Sequence, residues 1–415
     1  MTRMPAPHEP SPAPANLRVL LFTDTLGDVN GVARFVRDVA ACARDLGRSL
    51  RVVTSTRKHV EPAANIINLA PLAACPMPRY AELDLVLPPA RQMLALARDF
   101  APHVVHVSTP GPVGLVGRWI ARRLGVPLAG VYHTDFPAYV DGLFGDEALV
   151  WGARAAMTHF YRPFDAVLAR SAAYIPRLNA INVAHERVRL LPAGIRTPVF
   201  HPRFRERSPG VEIFRALYVG RVSVEKNLPL LVRAWNAAHA TLAARGIASE
   251  LRVVGDGPYR AAMARAISGA HFTGYLHGAD LSRVYASSDL FVFPSRTDTL
   301  GQAVMEAQAS GLAAIVSDEG GPREIVRDGA TGLVLAGSDA SAWARAIVDL
   351  AADEARRTRL GAAGHAAMQR RTIEASFEAF WQTHALLASP GARVGQPADA
   401  PAAGVGLAHA GVAQW

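Results

Sequence analysis

Short runs of apolar residues alternate with amphipathic segments of helical period along most of the chain. In the first half the apolar runs cover residues 17–23, 50–55, 104–108, 128–134, 166–170 and 188–192. In the second half they cover residues 216–220, 251–254, 271–273, 290–294, 313–317 and 332–335. Apolar strands that alternate with helices are typical of parallel sheets with helices on both faces. The pattern therefore predicts an α/β protein.

A polar, proline-containing stretch at residues 198–210 separates the two series of apolar runs. We therefore predict two doubly wound, Rossmann-like domains, at residues 17–197 and 211–371, joined by this linker. The length of 415 residues is sufficient for two domains of ordinary size. In such sheets a ligand binds beyond the carboxyl ends of the strands, so we expect it in the cleft where the two domains face each other.

The two ends of the chain differ in composition from the rest. Residues 1–16 are rich in Pro and Ala without the apolar core of a signal peptide, and residues 389–415 are mainly Ala, Gly and Pro. We expect a disordered leader and a disordered tail. The sequence has no apolar run of about 18 residues that could span a bilayer. Cys42 and Cys75 lack metal-binding spacing, and a reducing cytoplasm is the expected compartment.

The chain is strongly basic, with a formal net charge of +9. Among 44 basic residues only Lys58 and Lys226 are lysines, an arginine bias that indicates a bacterial coding composition. A basic protein favours acidic partners. Since no arginine run is interleaved with aromatic residues and no nucleic-acid motif occurs, we expect diphosphate substrates or anionic lipid headgroups and no nucleic acid.

Two carboxylates bracket the start of the helix predicted after the apolar run 290–293. Asp298 lies in the loop, the helix opens near Leu300 and Gly301, and Glu306 follows in its second turn. At about 1.5 Å rise per residue the two acids stand roughly 8–12 Å apart. The helix start between them offers free N–H groups and a positive dipole end to an anion. This layout suits a nucleotide-diphospho-sugar, although capping by Asp298 and a solvated Glu306 would give the same pattern.

This stretch resembles the E-x7-E signature of the retaining glycosyltransferases of family four, which have the GT-B fold, with Asp in place of the first Glu. The resemblance implies that Asp298 holds hydroxyls of the donor sugar and that Glu306 binds the ribose. Between them, the backbone amides of Thr299, Leu300 and Gly301 would contact sugar and phosphate. The shorter Asp side chain leaves the identity of the donor sugar open.

A second element, YVGRVSVEKN, directly follows a predicted strand and resembles the G-R-x-x-x-x-K element of the same family. It implies that Arg221 and Lys226 neutralise the donor diphosphate; the alternative is a solvated basic loop. Two fixed cations can stabilise the leaving group without a metal, so we expect neither a metal nor a cofactor. Gly274 and Tyr275 fall where the family packs the nucleotide base.

The first domain offers candidate residues at two strand ends. Gly31 lies in a strand–helix turn, DTLGDVNGVARF, that in this family faces the donor phosphate or the acceptor, although such a glycine can also be purely structural. The segment VYHTDF resembles the family's H-T-x-F loop, whose His points into the cleft beside the reacting sugar. This implies a catalytic position for His133, against the alternative of a buried polar neighbour. Asp135 and Tyr139 are candidates for the acceptor site.

These motifs match in the right order over roughly residues 17–385. By analogy with GT-B enzymes, we expect the amphipathic helix 372–388 to cross back onto the first domain. The cues NGVAR, YHTDF and SRTDTLGQAVMEAQASG resemble GDP-mannose-dependent α-mannosyltransferases and the sulfoquinovosyl and diacylglycerol glycosyltransferases most.

The function implied is transfer of a hexose with retention, best mannose from GDP-mannose, to a hydroxyl of a lipid or lipid-linked glycan. A UDP-sugar-dependent diacylglycerol glycosyltransferase is the alternative within the family. A sugar-nucleotide epimerase and a non-catalytic sugar-nucleotide sensor are alternatives of other classes. The sugar, the base and the acceptor stay open.

A lipid acceptor suggests a peripheral enzyme on the inner face of the plasma membrane. Helix 113–124 offers a surface in which Arg118, Arg122 and Arg123 flank Trp119. Arginines near anionic lipid contribute about 1 kcal/mol each. The alternative is an ordinary crossover helix that packs on the first sheet.

Overall fold

A computed structural model describes residues 16–28, 30–77, 80–206, 213–298 and 300–389 of the chain. The leader and tail predicted at 1–16 and 389–415 therefore lie almost wholly outside the described residues. The same holds for Thr299, for the side chain of Tyr139 and for the end of the 198–210 linker.

The first half of the described chain is built around one parallel sheet. The strands of this half are β1 Arg18–Phe22, β2 Ser49–Thr54, β3 Ile66–Asn68, β4 Ala73–Met77, β5 Tyr80–Leu87, β6 Val104–Val107, β7 Leu128–Tyr132, β8 Ala166–Ala169 and β9 Val188–Leu190. Seven of them pair in parallel in the order β3-β2-β1-β6-β7-β8-β9. The other two, β4 and β5, form a separate antiparallel hairpin that the apolar pattern did not predict.

Helices connect these strands and cover the sheet. They are α1 Gly31–Asp45, α2 Ala90–Phe100, α3 Pro112–Leu124, α4 Phe136–Phe144, α5 Glu147–Tyr161 and α6 Ile175–Ala180. Local sequence explains their ends. For example, α3 starts with a proline, whose missing N–H is not needed in a first turn. It stops at Gly125, which adopts the left-handed conformation (φ 66°) common just past a helix end.

The second half repeats the design with six parallel strands. These are β10 Phe214–Val219, β11 Ser249–Val254, β12 Ala270–Gly274, β13 Leu290–Phe293, β14 Ala313–Ser317 and β15 Gly332–Leu335, in the order β12-β11-β10-β13-β14-β15. The helices are α7 Leu228–Ala244, α8 Arg260–Ala266, α9 Gly278–Ala286, α10 Gln302–Ala309, α11 Pro322–Ile325, α12 Ala340–Ala352 and α13 Glu354–Met368. Each of the six apolar runs predicted for this half overlaps one strand.

The last described helix, α14 Ile373–Ala388, packs on the first sheet and not on the second. Its Phe377, Phe380 and Trp381 share an apolar cluster with residues of β1 and α1. Thr372, just before the helix, forms an isolated parallel bridge with Ile195. The chain therefore returns to the first unit after completing the second.

Strands in the middle of both sheets are buried on both faces, as β6 and β14 illustrate. That burial explains why their sequences are continuously apolar rather than alternating. Within the residues that the structure describes, no helix is both long and apolar enough to cross a bilayer.

Candidate active site

The carboxyl ends of the second sheet bring together the residues predicted for the donor. Strand β10 leads directly into Arg221, β12 ends at Gly274, and β13 leads into the loop that contains Asp298. Because β13 lies beside β10, the two loops that follow these strands are neighbours. Thr297 Oγ1 donates to the carbonyl of Glu225 at 3.2 Å and so joins them.

The start of α10 requires a glycine. Gly301 immediately precedes the helix and has φ +78°, in the left-handed region that side chains rarely adopt. A Cβ at this position would also lie 2.8 Å from the ring of Pro322. The backbone of the candidate phosphate-binding turn is thus held close against α11. Leu300 packs partly buried beside it.

Lys226 and Asp298, predicted from two separate motifs, contact each other. Lys226 Nζ lies 2.9 Å from Asp298 Oδ1, and both side chains keep some solvent exposure. Asn227, in the left-handed conformation, donates from its side-chain amide to the carbonyls of Pro294 and Gly337, which fixes the turn that carries the lysine. Asp298 Oδ2 is buried and accepts no hydrogen bond from the described residues. The hydrogen-bonding capacity of this oxygen is therefore unused among the described residues.

Glu306 is held by a residue that sequence reasoning missed. Its buried carboxylate in the second turn of α10 forms an ion pair with Arg34 of α1, on the opposite sheet. Burial raises the pKa of Glu306, and the neighbouring Arg34 only partly opposes this. Burial is the largest influence on Arg34 and acts to lower its pKa, but Glu306, Asp38 and Tyr285 together outweigh it and the net shift is upward. A cation in the first turn of a helix opposes the helix dipole, a signal that could have pointed to a partner for Arg34.

The remaining donor-side candidates, Arg221, Gly274 and Tyr275, lie at the carboxyl ends of β10 and β12. The Tyr218 hydroxyl donates to the carbonyl of Arg221 at 2.9 Å, which anchors the backbone of that turn. Gly274 ends β12 with φ +73°, and Tyr275 after it is 52% exposed. An exposed aromatic ring beside a glycine turn leaves a face on which a nucleotide base could stack.

His133 follows β7 of the first sheet and contacts residues of the first unit. Its Nε2 lies 3.0 Å from Ser108 Oγ, and its ring meets Phe35 of α1 edge-on at 5.0 Å between centroids. Burial, and next the charge of Arg170, lowers the pKa of His133 well below its usual value. The imidazole is therefore neutral at physiological pH. Arg170 itself lies buried against the Phe35 ring, 4.7 Å from its centroid.

The two acceptor candidates and Gly31 have local surroundings of their own. Asp135 is buried, caps α4 by accepting from Ala138 N at 3.3 Å, and accepts from the Tyr132 hydroxyl at 3.0 Å. These contacts account for Asp135 as a capping residue, and its acceptor role stays a prediction. Gly31 opens α1, and a Cβ there would meet no atom within 4 Å. No protein contact among the described residues therefore requires a glycine at that turn.

Helix α3, which the sequence offers as a membrane surface, packs in part against the rest of the protein. Ile120 of α3 is fully buried in the first core, as the crossover interpretation requires. Arg118 donates to the carbonyls of His159 at 2.8 Å and Phe160 at 3.1 Å. Trp119 remains 44% exposed, and Arg122 is exposed. Only part of the proposed basic face is thus turned outward.

Comparison with protein families gives two matches that together cover the second sheet and all of the first except β1. The family described as "Glycosyltransferase Family 4" matches residues 29–198, and the one described as "Glycosyl transferases group 1" matches residues 214–353. The solved structures that resemble the chain include sucrose-phosphate synthase from Thermosynechococcus elongatus. It has a TM-score of 0.70 and 20% identity, and the match covers 89% of this chain and 98% of that one. Anabaena HepE in complex with UDP and glucose matches with a TM-score of 0.69 and 16% identity, over 88% and 99%. These likenesses confirm the predicted fold, two Rossmann-like sheets in the GT-B arrangement.

Similar curated proteins are glycosyltransferases. The GDP-mannose-dependent alpha-mannosyltransferase of Mycobacterium tuberculosis is 34% identical over 77% of this chain and 84% of its own length. The sulfoquinovosyl transferase SQD2 of Arabidopsis thaliana is 30% identical over 76% of this chain and 63% of its own. The alpha-monoglucosyldiacylglycerol synthase of Streptococcus pneumoniae is 25% identical over 72% and 70%.

Proposed function

The chain belongs to glycosyltransferase family 4, and we propose that it transfers mannose from GDP-mannose, with retention, to a hydroxyl of a lipid or lipid-linked glycan. That it is a glycosyltransferase with a nucleotide-sugar donor follows from the family and its relatives. The choice of sugar, base and acceptor is the proposal. The contact between Lys226 and Asp298 supports a nucleotide-sugar donor, because it would join a cation for the diphosphate to a carboxylate for the sugar. The 34% identity to a GDP-mannose-dependent enzyme supports the choice of mannose.

The donor would lie along the carboxyl ends of the second sheet. Arg221 and Lys226 would hold the diphosphate over the start of α10, where the free N–H groups of the helix also favour an anion. Asp298 Oδ2 would accept from a sugar hydroxyl, and Glu306 would take the ribose. The two cations supply the charge that the leaving diphosphate needs, so we propose that no metal or cofactor takes part.

In the reaction the acceptor oxygen approaches the anomeric carbon from the face that the diphosphate leaves. The bond from that carbon to the phosphate oxygen breaks, the bond to the acceptor oxygen forms, and the acceptor proton passes to a β-phosphate oxygen. Charge builds on the diphosphate beside Lys226 and Arg221. A neutral His133 beside the reacting carbon can exchange a hydrogen bond with substrate without adding charge.

The names of the relatives support two choices of donor. A GDP-mannose-dependent enzyme at 34% identity favours mannose. The sulfoquinovosyl and monoglucosyldiacylglycerol enzymes favour a UDP-sugar-dependent diacylglycerol glycosyltransferase as the second candidate. A sugar-nucleotide epimerase or a sensor would bind the donor but would not transfer its sugar to an acceptor with release of free nucleotide. This difference separates both from a transferase.

A lipid acceptor calls for a membrane-facing surface, and α5 supports one better than α3. Trp151 of α5 is 73% exposed, and Leu149 is exposed beside it. A groove of about 390 Å³ runs from Trp151 past Arg154 to Arg162, and no acidic residue lines it. An aromatic anchor flanked by arginines is the combination expected for docking on anionic lipid. We propose that this face rests on the inner leaflet.

Flotation with liposomes tests the membrane surface. Binding to liposomes that contain phosphatidylglycerol should weaken with salt and should drop in Trp151→Ser and Arg154→Glu, with Trp119→Ser affected less. Leu386→Ser removes an apolar side chain of α14 that is 53% exposed, and it serves as the control. No flotation with either lipid would leave an enzyme that acts without a membrane, and equal flotation with neutral and anionic lipid would contradict docking through the arginines.

Donor identity is tested by thermal shift with GDP-mannose, UDP-glucose, UDP-galactose, UDP-N-acetylglucosamine and UDP-sulfoquinovose. GDP-mannose should stabilise the protein most, because a ligand that binds only the folded state raises its stability according to its affinity. A larger shift with a UDP-sugar would replace mannose by the second candidate. No shift with any of the five would contradict the proposed donor site.

A further inference from the structure

The carboxylate assigned to the donor ribose is already paired across the cleft. Glu306 belongs to the second unit, and its partner Arg34 projects from α1 of the first unit. The Glu306 side chain is 4% exposed, whereas that of Arg34 is 33% exposed. A buried acid is thus covered by a cation that still touches solvent. A ribose that approaches Glu306 meets this guanidinium first.

The surroundings of Arg34 offer it a second position. Its guanidinium carbon lies 5.4 Å from the centre of the Phe200 ring, in the segment that connects the two units. Asp38 lies one turn further along α1, at the spacing at which side chains on a helix face one another. Asp38 is also bound by Arg196 of the same connecting segment, at 2.7 Å. An Arg34 released from Glu306 therefore has a carboxylate within reach.

We propose that Arg34 is a latch between the two units: it neutralises Glu306 while no nucleotide sugar is bound, and the ribose hydroxyls of the donor replace it. This inference rests on the proposed function, because it takes Glu306 as the ribose-binding residue. A buried carboxylate without a partner is strongly unfavourable, so the empty site needs a cation. Exchange of Arg34 for the ribose keeps Glu306 satisfied in both states.

The latch has a consequence for affinity. Because the donor must displace Arg34, part of its binding free energy is used to break the ion pair. Loss of Arg34 should therefore tighten nucleotide binding, whereas an arginine that touched the donor would weaken binding when removed. The two roles thus predict opposite signs. Release of Arg34 also removes one contact between the units, which couples donor binding to their relative movement.

Calorimetric titration of the full chain with GDP and UDP, and with the 2′,3′-dideoxy form of each, tests this. The variants are Arg34→Ala and Arg34→Gln; the latter fills more of the space, so poor folding of the alanine variant does not end the test. Arg44→Ala is the matched control, since Arg44 is an exposed arginine in the last turn of the same helix.

The expected result is that the Kd of the better-bound ribonucleotide falls at least about threefold in both Arg34 variants. It should not change in the Arg44 control, and the dideoxy forms should gain nothing, because they lack the hydroxyls that compete for Glu306. A higher Kd in the Arg34 variants, or an equal gain with the dideoxy nucleotide, would overturn the latch and leave the donor site standing. If neither nucleotide bound any of the proteins, the donor site and the latch would both be wrong.

Discussion

The two sides of the cleft hold their polar groups in different ways. On the side of the second sheet the candidate residues are charged and paired, Lys226 with Asp298 and Glu306 with Arg34 from across the cleft. Lys226, which could meet a diphosphate, is thus close to a carboxylate that could meet a sugar hydroxyl, and Arg34 covers the carboxylate assigned to the ribose. We propose that a nucleotide sugar replaces these protein partners when it binds: the diphosphate contacts Lys226, and the ribose hydroxyls contact Glu306.

On the side of the first sheet we compare three buried histidines. His106 Nδ1 lies 2.9 Å from His384 Nε2, and His133 contacts Ser108. Burial lowers the pKa of all three histidines, to about 4 for His384. They are neutral at physiological pH. The comparison teaches that the donor candidates of the second sheet are charged and paired, whereas these three histidines of the first unit are neutral.

The strongest test of the charged side removes its lysine. Lys226→Ala should lower kcat at least about 100-fold, because a fixed donor to a developing anion contributes about 2.7–4 kcal/mol. Initial rates at saturating donor measure this, with Arg233→Ala, an exposed cation on the next helix, as the control. A variant within about threefold of wild type would remove Lys226 from the site.

Glu306→Gln should have a smaller effect, mainly on donor binding. A hydrogen bond to a charged group contributes about 1.5–3 kcal/mol, so we expect the KM for the donor to rise at least about tenfold. The value of kcat should change less, because the ribose is remote from the reacting carbon. Steady-state kinetics with varied donor decide it; a fall in kcat with KM unchanged would show that Glu306 acts on the transition state instead.

The buried histidines of the first unit should make the free energy of unfolding depend on pH. A histidine whose pKa is lowered on folding binds fewer protons than in the unfolded chain, so its contribution is complete above about pH 6.5 and is lost as the pH falls. For His384 the loss extends down to about 4. Urea unfolding should show that the free energy of unfolding decreases as the pH is lowered from about 6.5 to about 4. His384→Gln should flatten that slope; an unchanged slope would mean that other groups cause it.

The smallest expected effect is that of a chelator. If Arg221 and Lys226 supply the positive charge, EDTA should leave the transfer rate within about twofold. The assay follows nucleotide release with EDTA and then with added Mg²⁺ or Mn²⁺. Complete loss of transfer that either metal restores would contradict the proposal that no metal is needed.

The sequence predicted every strand of both sheets except β3, including β9 and β12, which have no fully buried residue. For the central strands the reason is that a short, continuous apolar run between turn residues is typical of a strand buried on both faces. It did not predict β3, β4 or β5. Strand β3 has three residues and no fully buried side chain, and β4 contains a proline and the exposed Cys75. β3 and β4 are therefore too short or too interrupted to show an apolar run, whereas β5 alternates polar and apolar residues over 82–85, a signal that sequence reasoning missed.

The candidate site also contains features that the sequence predicted and features that it did not. Lys226, Asp298 and Glu306 came from local motifs, because strand ends and helix starts impose short-range patterns. The partners of these residues did not: Arg34 and Glu306 lie 272 positions apart and meet only after two separate units have folded. The pairing of Lys226 with Asp298 likewise depends on β10 and β13 being neighbours. Which charges compensate each other is a tertiary property that one sequence does not contain.

The central claim, retaining transfer from a nucleotide sugar at the charged side of the cleft, is tested most directly by NMR of the reaction itself. The protein is incubated with GDP-mannose and a diacylglycerol or lipid-linked acceptor in anionic liposomes, and the sugar product and free nucleotide are followed together. We predict an α-linked mannosyl product that appears in step with GDP, and no such product with Lys226→Ala. A β-linked product, GDP release without a glycosylated acceptor, or an unchanged rate in Lys226→Ala would contradict the account.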